Sequence, residues 1–263
     1  MRTGAQVRML SCAGALVLAL AAAEGAGAVP LITNGGFEAG FVGWTRADAV
    51  GSDGTFFLQS GTASPLNADP VPAPPGGTTA AMTDAQGPGS HVLYQNFVVP
   101  ASLGSAVLTF DLFIGNRAGA FFTPSPASLD FSTPLLNQQA RVDILRVGTG
   151  PFSVSSSDVL LPLFQTNPGD PLISGYTAHS TDLTTLLTAN AGQTLQLRFA
   201  ETDNLFTFQL GVDNVNLDIQ TVPEPSTWVL LSTGLVGLIG YGWQRQRERG
   251  RGARVGSTCA PLR

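Results

Sequence analysis

Histidine moves protons most readily near neutral pH, and this chain has two, His91 and His179, 88 positions apart. Neither belongs to an H-E-x-x-H pair, and no G-x-S-x-G elbow offers a nucleophile. The best-placed carboxylates are Glu201 and Asp203, which flank Thr202 near the end of an alternating apolar stretch. Two such acids could serve glycoside cleavage. Scattered acids also produce accidental pairs, so this one weighs little, and no catalytic residue is assigned. All 13 basic residues are arginine. Without lysine there is no Schiff-base chemistry and no P-loop ammonium.

Charge divides the chain into unlike parts. Residues 29–222 hold five arginines and fifteen acids, a charge of −10, whereas the whole chain of 263 residues carries −5. An acidic body of this kind does not neutralise phosphates, which excludes a general nucleic-acid partner. Residues 1–28 read as a signal peptide. Arg2 and Arg8 precede the apolar run Met9 to Ala23, and the small residues Ala26-Gly27-Ala28 predict cleavage after Ala28. Cys12 would leave with that peptide and Cys259 lies near the other end, so the exported body holds no thiol. A body of this length can bury enough apolar surface to dispense with disulfides.

At the other end, residues 228–243 (WVLLSTGLVGLIGYGW) form an uncharged apolar run, bounded by tryptophans and followed at once by arginines. The run covers about 24 Å at ~1.5 Å per residue, a little short of a ~30 Å hydrocarbon core, but interfacial tryptophans and a basic flank predict a transmembrane helix with residues 29–222 outside. Just ahead stand Val222, Pro223, Glu224 and Pro225. The order of Pro-Glu-Pro, apolar span and arginine-rich end over residues 222–251 resembles the PEP-CTERM sorting domain. That resemblance implies processing by an exosortase, with Val222, Pro223, Glu224 and Pro225 as recognition residues and the helix as a transient membrane anchor. Residues 252–263 extend past the usual end of such tails as a basic tail.

The body reads as all-β. Leu108, Phe110, Leu112 and Ile114 alternate with polar residues, as do Leu195, Leu197 and Phe199, and again Val215, Leu217 and Ile219. This period of two marks strands buried on one face. Six further strands are predicted near 55–59, 80–83, 92–99, 140–147, 159–164 and 176–180, and 183–190 suggests a helical turn. Nine strands in two packed antiparallel sheets make a sandwich. Residues 64–77, 123–134 and 167–175 hold five, three and two prolines and are predicted to be surface loops.

The two ends of the body add a second likeness. Leu31-Ile32-Thr33-Asn34-Gly35-Gly36-Phe37-Glu38, with Gly43-Trp44, resembles the opening of carbohydrate-binding-module-like jelly rolls of the galactose-binding type. Gly211-Val212-Asp213-Asn214-Val215-Asn216-Leu217 resembles their closing strand, and residues 189–199 are also similar. The likeness implies a two-sheet antiparallel jelly-roll sandwich over 29–221. It also implies a structural Ca²⁺ held by the carboxylates of Glu38 and Asp213, with backbone carbonyls completing the shell, chemistry that suits a hard cation. The alternative for the same residues is that Glu38 caps a turn and Asp213 bonds backbone near a bulge.

Taken together, these readings predict an exported, non-enzymatic surface or matrix protein, structural or adhesive among extracellular polysaccharides. A carbohydrate-binding module is the main alternative, and a glycan-active enzyme a remote one. Sugar binding calls for exposed aromatic faces beside polar groups. Trp44 is expected in the core, and Phe121, Phe122 and Phe206 lie next to loops.

Overall fold

Alternating apolar residues build two antiparallel sheets that close on each other. A computed structural model of the chain describes residues 28–220 and 227–252. Eleven strands occur among them: β1 (Ala28–Pro30), β2 (Thr45–Asp48), β3 (Thr55–Gln59), β4 (Ala80–Asp84), β5 (Gly89–Val98), β6 (Ser105–Asn116), β7 (Gln138–Arg146), β8 (Val159–Gln165), β9 (Thr177–Asp182), β10 (Thr194–Asp203) and β11 (Phe208–Gln220). One sheet runs β3-β4-β11-β6-β9, with β1 also paired to β11; the other runs β2-β5-β10-β7-β8. This is the jelly-roll sandwich expected. The predicted turn at 183–190 is the short helix α1 (Thr184–Ala189).

The inward faces meet in one aromatic-rich core. Phe37 lies 5.3 Å from Trp44, Trp44 lies 5.9 Å from Phe199, and Phe199 lies 5.5 Å from Phe110 edge-on. Such offset and edge-on pairs use the ring quadrupoles favourably. His179 continues the row, stacked on Phe110 and meeting Phe164 edge-on. Trp44 is buried as expected, and its indole Nε1 donates to the carbonyl of Asn34.

The outer face of the second sheet is covered by loops. Leu129 from the second proline-rich loop packs on Val92 and Ala200. Asp143 accepts hydrogen bonds from Arg141 and Arg198, and the Nη1 of Arg198 also donates to the carbonyls of Pro151 and Ser153. These buried charges are paired, as burial demands.

The opening motif owes its glycines and asparagine to a close approach. Asn34 adopts a left-handed φ of 52°, and its side chain closes the loop by bonding Gly40, Val42 and Ala39. A Cβ at Gly35 would overlap the carbonyl of Val215, so only glycine lets the opening segment lie against the closing strand. The amide of Val215 donates to the carbonyl of Gly35 at 3.0 Å.

The body, Ala26–Val222, is one compact unit, and the helix α2 (Thr227–Gly252) belongs to another. The expected span at 228–243 needs correction. A helix forms there, but no helix among the described residues is long and apolar enough to cross a membrane. At ~1.5 Å per residue its apolar run covers about 24 Å of a ~30 Å hydrocarbon core. Its apolar side chains Leu235, Val236, Leu238, Ile239, Tyr241 and Trp243 are all exposed. The strand β1 starts at Ala28, the residue expected to end the signal peptide, and pairs with Gln220. The rest of that peptide, both cysteines, and Val222, Pro223, Glu224 and Pro225 lie outside the described residues.

Candidate functional site at the β10–β11 hairpin

Strands β10 and β11 are joined by a tight connection, residues 204–207. The connection is fixed from below by Gln138, which is fully buried at the start of β7. The Nε2 of Gln138 donates to the carbonyl of Phe206 at 2.8 Å and to Asn116 Oδ1 at 3.0 Å, and its Oε1 accepts from the amide of Leu205 at 3.3 Å. Asn204 is held on both sides. Its Nδ2 donates to the carbonyls of Phe131 and Leu135, and its Oδ1 accepts from the amide of Asn137. The carbonyl of Thr207 accepts from the amide of Arg117.

On this pinned backbone the Phe206 side chain is 63% exposed. The hydrogen bonds to residues 204–207 fix where this exposed ring stands. Beside the ring is a cavity of about 300 Å³, walled by Gln86, Gly87 and Pro88 on one side and Asp203 to Thr207 on the other. That is the lower end of the ~300–1,000 Å³ range of ligand pockets. It is a volume for one small polar unit.

Asp203 supplies the acid of the wall. Its Oδ1 accepts from the amide of Gly89 at 2.8 Å. Burial raises its pKa to about 7, with Asp53 adding to the rise, while the bonds from Gly89 and Phe208 and the nearby His91 oppose it. Glu201 sits two residues back on the same inward face, directly opposite His91 in the β5–β10 ladder. Burial pushes its carboxyl well above the usual range, and Asp203 adds to this. His91 is fully buried; its Nδ1 donates to Asp48 Oδ1 at 2.7 Å. Among the described residues, Glu201 Oε1 and His91 Nε2 have no hydrogen-bond partner. Both acids of the sequence pair are buried, Glu201 at 1% and Asp203 at 2% exposure, and of the two Asp203 is the one that contributes to the cavity wall.

Other surface aromatics fare differently. Phe121 is buried, and Phe122 is drawn into a bridge with Gln138. An open groove between β2 and β3 includes Phe41, but the guanidinium of Arg46 lies 4.4 Å above that ring. Its face is already covered.

Glu38 and Asp213 come to the same place, the end of the first proline-rich loop. Glu38 Oε1 accepts from the amides of Thr78 and Thr79 at 2.7 and 2.8 Å, and Oε2 accepts from the hydroxyl of Thr78 at 2.7 Å. These bonds, from Thr78 first, hold its pKa down at about 2. Asp213 accepts from the amides of Gly76 and Asn214 at 3.1 and 2.7 Å, where β11 bulges between Asp213 and Asn216. Burial raises its pKa to about 6, with Asp111 and Glu38 contributing. Gly77 has φ of 57°, and a Cβ there would overlap Glu38 Oε1.

The geometry thus matches the capping and bulge roles left open by the sequence. It also leaves three carboxylates within electrostatic reach, and among the described residues no arginine or histidine forms an ion pair with them. No three acidic, histidine or cysteine side chains among the described residues converge as a metal centre. The donor set fits Ca²⁺ only as two carboxylates joined by backbone carbonyls, the composition the resemblance implied.

The family whose profile matches is described as the PEP-CTERM protein-sorting motif, over residues 221–246. No curated protein sequence matches the chain. Among solved structures, the K3 cleaved adhesin domain of Lys-gingipain from Porphyromonas gingivalis w83 aligns at 15% identity and TM-score 0.42, covering 73% of this chain and 99% of that one. TmCBM61, solved with beta-1,4-galactotriose, aligns at 12% identity and TM-score 0.40, covering 72% and 97%. The Stig cyclase Fisc from Fischerella sp. TAU aligns at 20% identity and TM-score 0.42, covering 74% and 100%. The sorting motif implies export to the surface or beyond. Residues 221–246 are a PEP-CTERM protein-sorting motif, carried behind a jelly-roll body whose solved neighbours include carbohydrate-binding modules and adhesin domains.

Proposed function

We propose that this chain is an exported, non-catalytic surface protein, structural or adhesive in an extracellular polysaccharide matrix, and that it adheres by holding a glycan at the β10–β11 hairpin. The carrying observation is Phe206, exposed on a backbone that Gln138 and Arg117 fix, beside a cavity with polar walls. An aromatic face packs on a sugar ring while amides and carboxyls meet its hydroxyls. Burial of both Glu201 and Asp203 favours binding over hydrolysis, because a catalytic pair of carboxylates needs access to substrate and water.

In this reading an exosortase recognises Pro223, Glu224 and Pro225, and α2 holds the chain at the membrane until processing. Calcium at Glu38 and Asp213 would offset the uncompensated acids and tie the opening segment to β11. Fractionation of cells expressing the full chain tests the sorting claim. Replacing Pro223, Glu224 and Pro225 by alanine should leave unprocessed protein in the inner membrane, and unchanged release would contradict it.

A further inference from the structure

We propose that the open groove between β2 and β3 binds a sugar unit bearing a single negative charge, a uronate or a sulfate ester, with Arg46 as the residue that takes the anion. The groove shares no lining residue with the cleft beside Phe206, so this contact stands independently of the hairpin.

The carrying observation is a cation left without a counter-charge in an acidic body. Residues 29–222 hold five arginines. Arg117 pairs with Asp69, Arg141 and Arg198 pair with Asp143, and Arg146 lies within electrostatic reach of Asp158. Arg46 makes no ion pair among the described residues. It is exposed on β2, yet its head is held twice: Nη1 donates to the carbonyl of Phe56 at 2.8 Å, and Cζ lies 4.4 Å from the centre of the Phe41 ring. Neither contact cancels the charge. Both remove freedom that a ligand would otherwise have to remove on binding. Nε and Nη2 donate to no atom among the described residues, which leaves part of the guanidinium fork for a planar or tetrahedral anion.

The rest of the groove suits hydroxyls. Its volume is about 630 Å³, and Thr45, Asp48 and Thr55 line it beside Arg46. Asp48 Oδ1 accepts from His91 Nδ1 at 2.7 Å, whereas Oδ2 and the hydroxyls of Thr45 and Thr55 have no partner among the described residues. These groups can accept from and donate to the hydroxyls of a sugar ring whose acid sits on Arg46.

Charge narrows the class of ligand. One guanidinium offsets one negative charge, and the neighbouring Asp48 opposes a second, which disfavours a phosphate dianion. A cationic sugar would face Arg46 itself. The −10 charge of the body repels dense polyanions at longer range. An isolated acidic unit in an otherwise neutral glycan meets none of these obstacles.

A single contact in an open groove binds weakly, with a Kd on the order of 1 mM, so it is read in solution. The test is ligand-detected NMR titration of the full chain in detergent with four xylotriose derivatives: one carrying a single glucuronate, its methyl ester, one carrying a single sulfate ester, and the unsubstituted trisaccharide. At least one of the two anions should bind about tenfold or more tighter than its uncharged counterpart, and the tighter of the two identifies the acid. Arg46→Gln should remove that gap, with melting curves checking that the chain still folds, and Arg46→Lys should retain part of it. Phe206→Ala should leave it unchanged. Equal affinity for each anion and its uncharged counterpart overturns the proposal without recourse to any variant. So does a gap that survives Arg46→Gln, which would place the anion elsewhere. A gap lost in Phe206→Ala overturns the groove in favour of the hairpin, whereas failure of both anions to bind overturns the groove and leaves the hairpin reading standing.

Discussion

Gln138 Nε2 donates a 2.8 Å hydrogen bond to the carbonyl of Phe206, so a fully buried amide on β7 fixes the most exposed phenylalanine ring among the described residues of the body. The same side chain accepts from Leu205 and donates to Asn116, which ties the hairpin to two other strands. Gln138→Leu keeps the volume but leaves these groups unsatisfied. Its expected cost is about 1–3 kcal/mol of stability, read by chemical denaturation. Hydrogen exchange should also show faster exchange at residues 204–207, while the centres of β10 and β11 keep their protection.

Stability should decline with rising pH on account of Asp203. Its folded pKa lies above the unfolded value, so the folded form retains a proton that the unfolded chain has lost. The protonated state imposes no penalty below about pH 4. The penalty grows from there to about pH 7, then levels off. Asp203→Asn should therefore stabilise the chain at about pH 8, by an amount on the order of 2–4 kcal/mol, and change little at about pH 4. Melting curves of the two proteins across this range decide it. Glu38 acts with opposite sign: its depressed pKa means that its contribution is complete above the unfolded carboxylate range and fades as pH falls towards about 2.

Calcium should raise the melting temperature of the full chain, and a chelator should reverse the rise. Asp213→Asn should abolish the calcium response while leaving the Thr78 and Thr79 bonds to Glu38 in place. Glu38→Ala should lower the melting temperature with or without calcium, because it removes the acceptor that seats the end of the proline-rich loop. A melting temperature indifferent to calcium and chelator would leave both carboxylates as capping and bulge residues alone.

Much of the sandwich was legible because burial on one face imposes a period of two. Thr55–Gln59 matches the expected strand to the residue, and 159–164 extends by one. The strand β2 carries no such signal, because Thr45–Asp48 is a short edge strand, mostly exposed, with no apolar alternation. The site was less legible. Loop position singled out Phe206, but the cavity joins residues 86–88 to 203–207, and its anchor Gln138 lies elsewhere again. Pairing of β10 with both β5 and β7 brings them together, and no sequence spacing encodes that. Alternation gives Glu201 and Asp203 the same face, and the structure buries both; only their position along β10, with Asp203 at its end beside residues 204–207, separates them.

Adhesion through the hairpin is tested most directly by a glycan array probed with the full chain and with Phe206→Ala. The intact chain should bind a subset of glycans, and removing the ring should lower this binding at least about tenfold, the scale of one well-packed aromatic contact. Binding unchanged by Phe206→Ala, or no binding to any glycan, would contradict adhesion there.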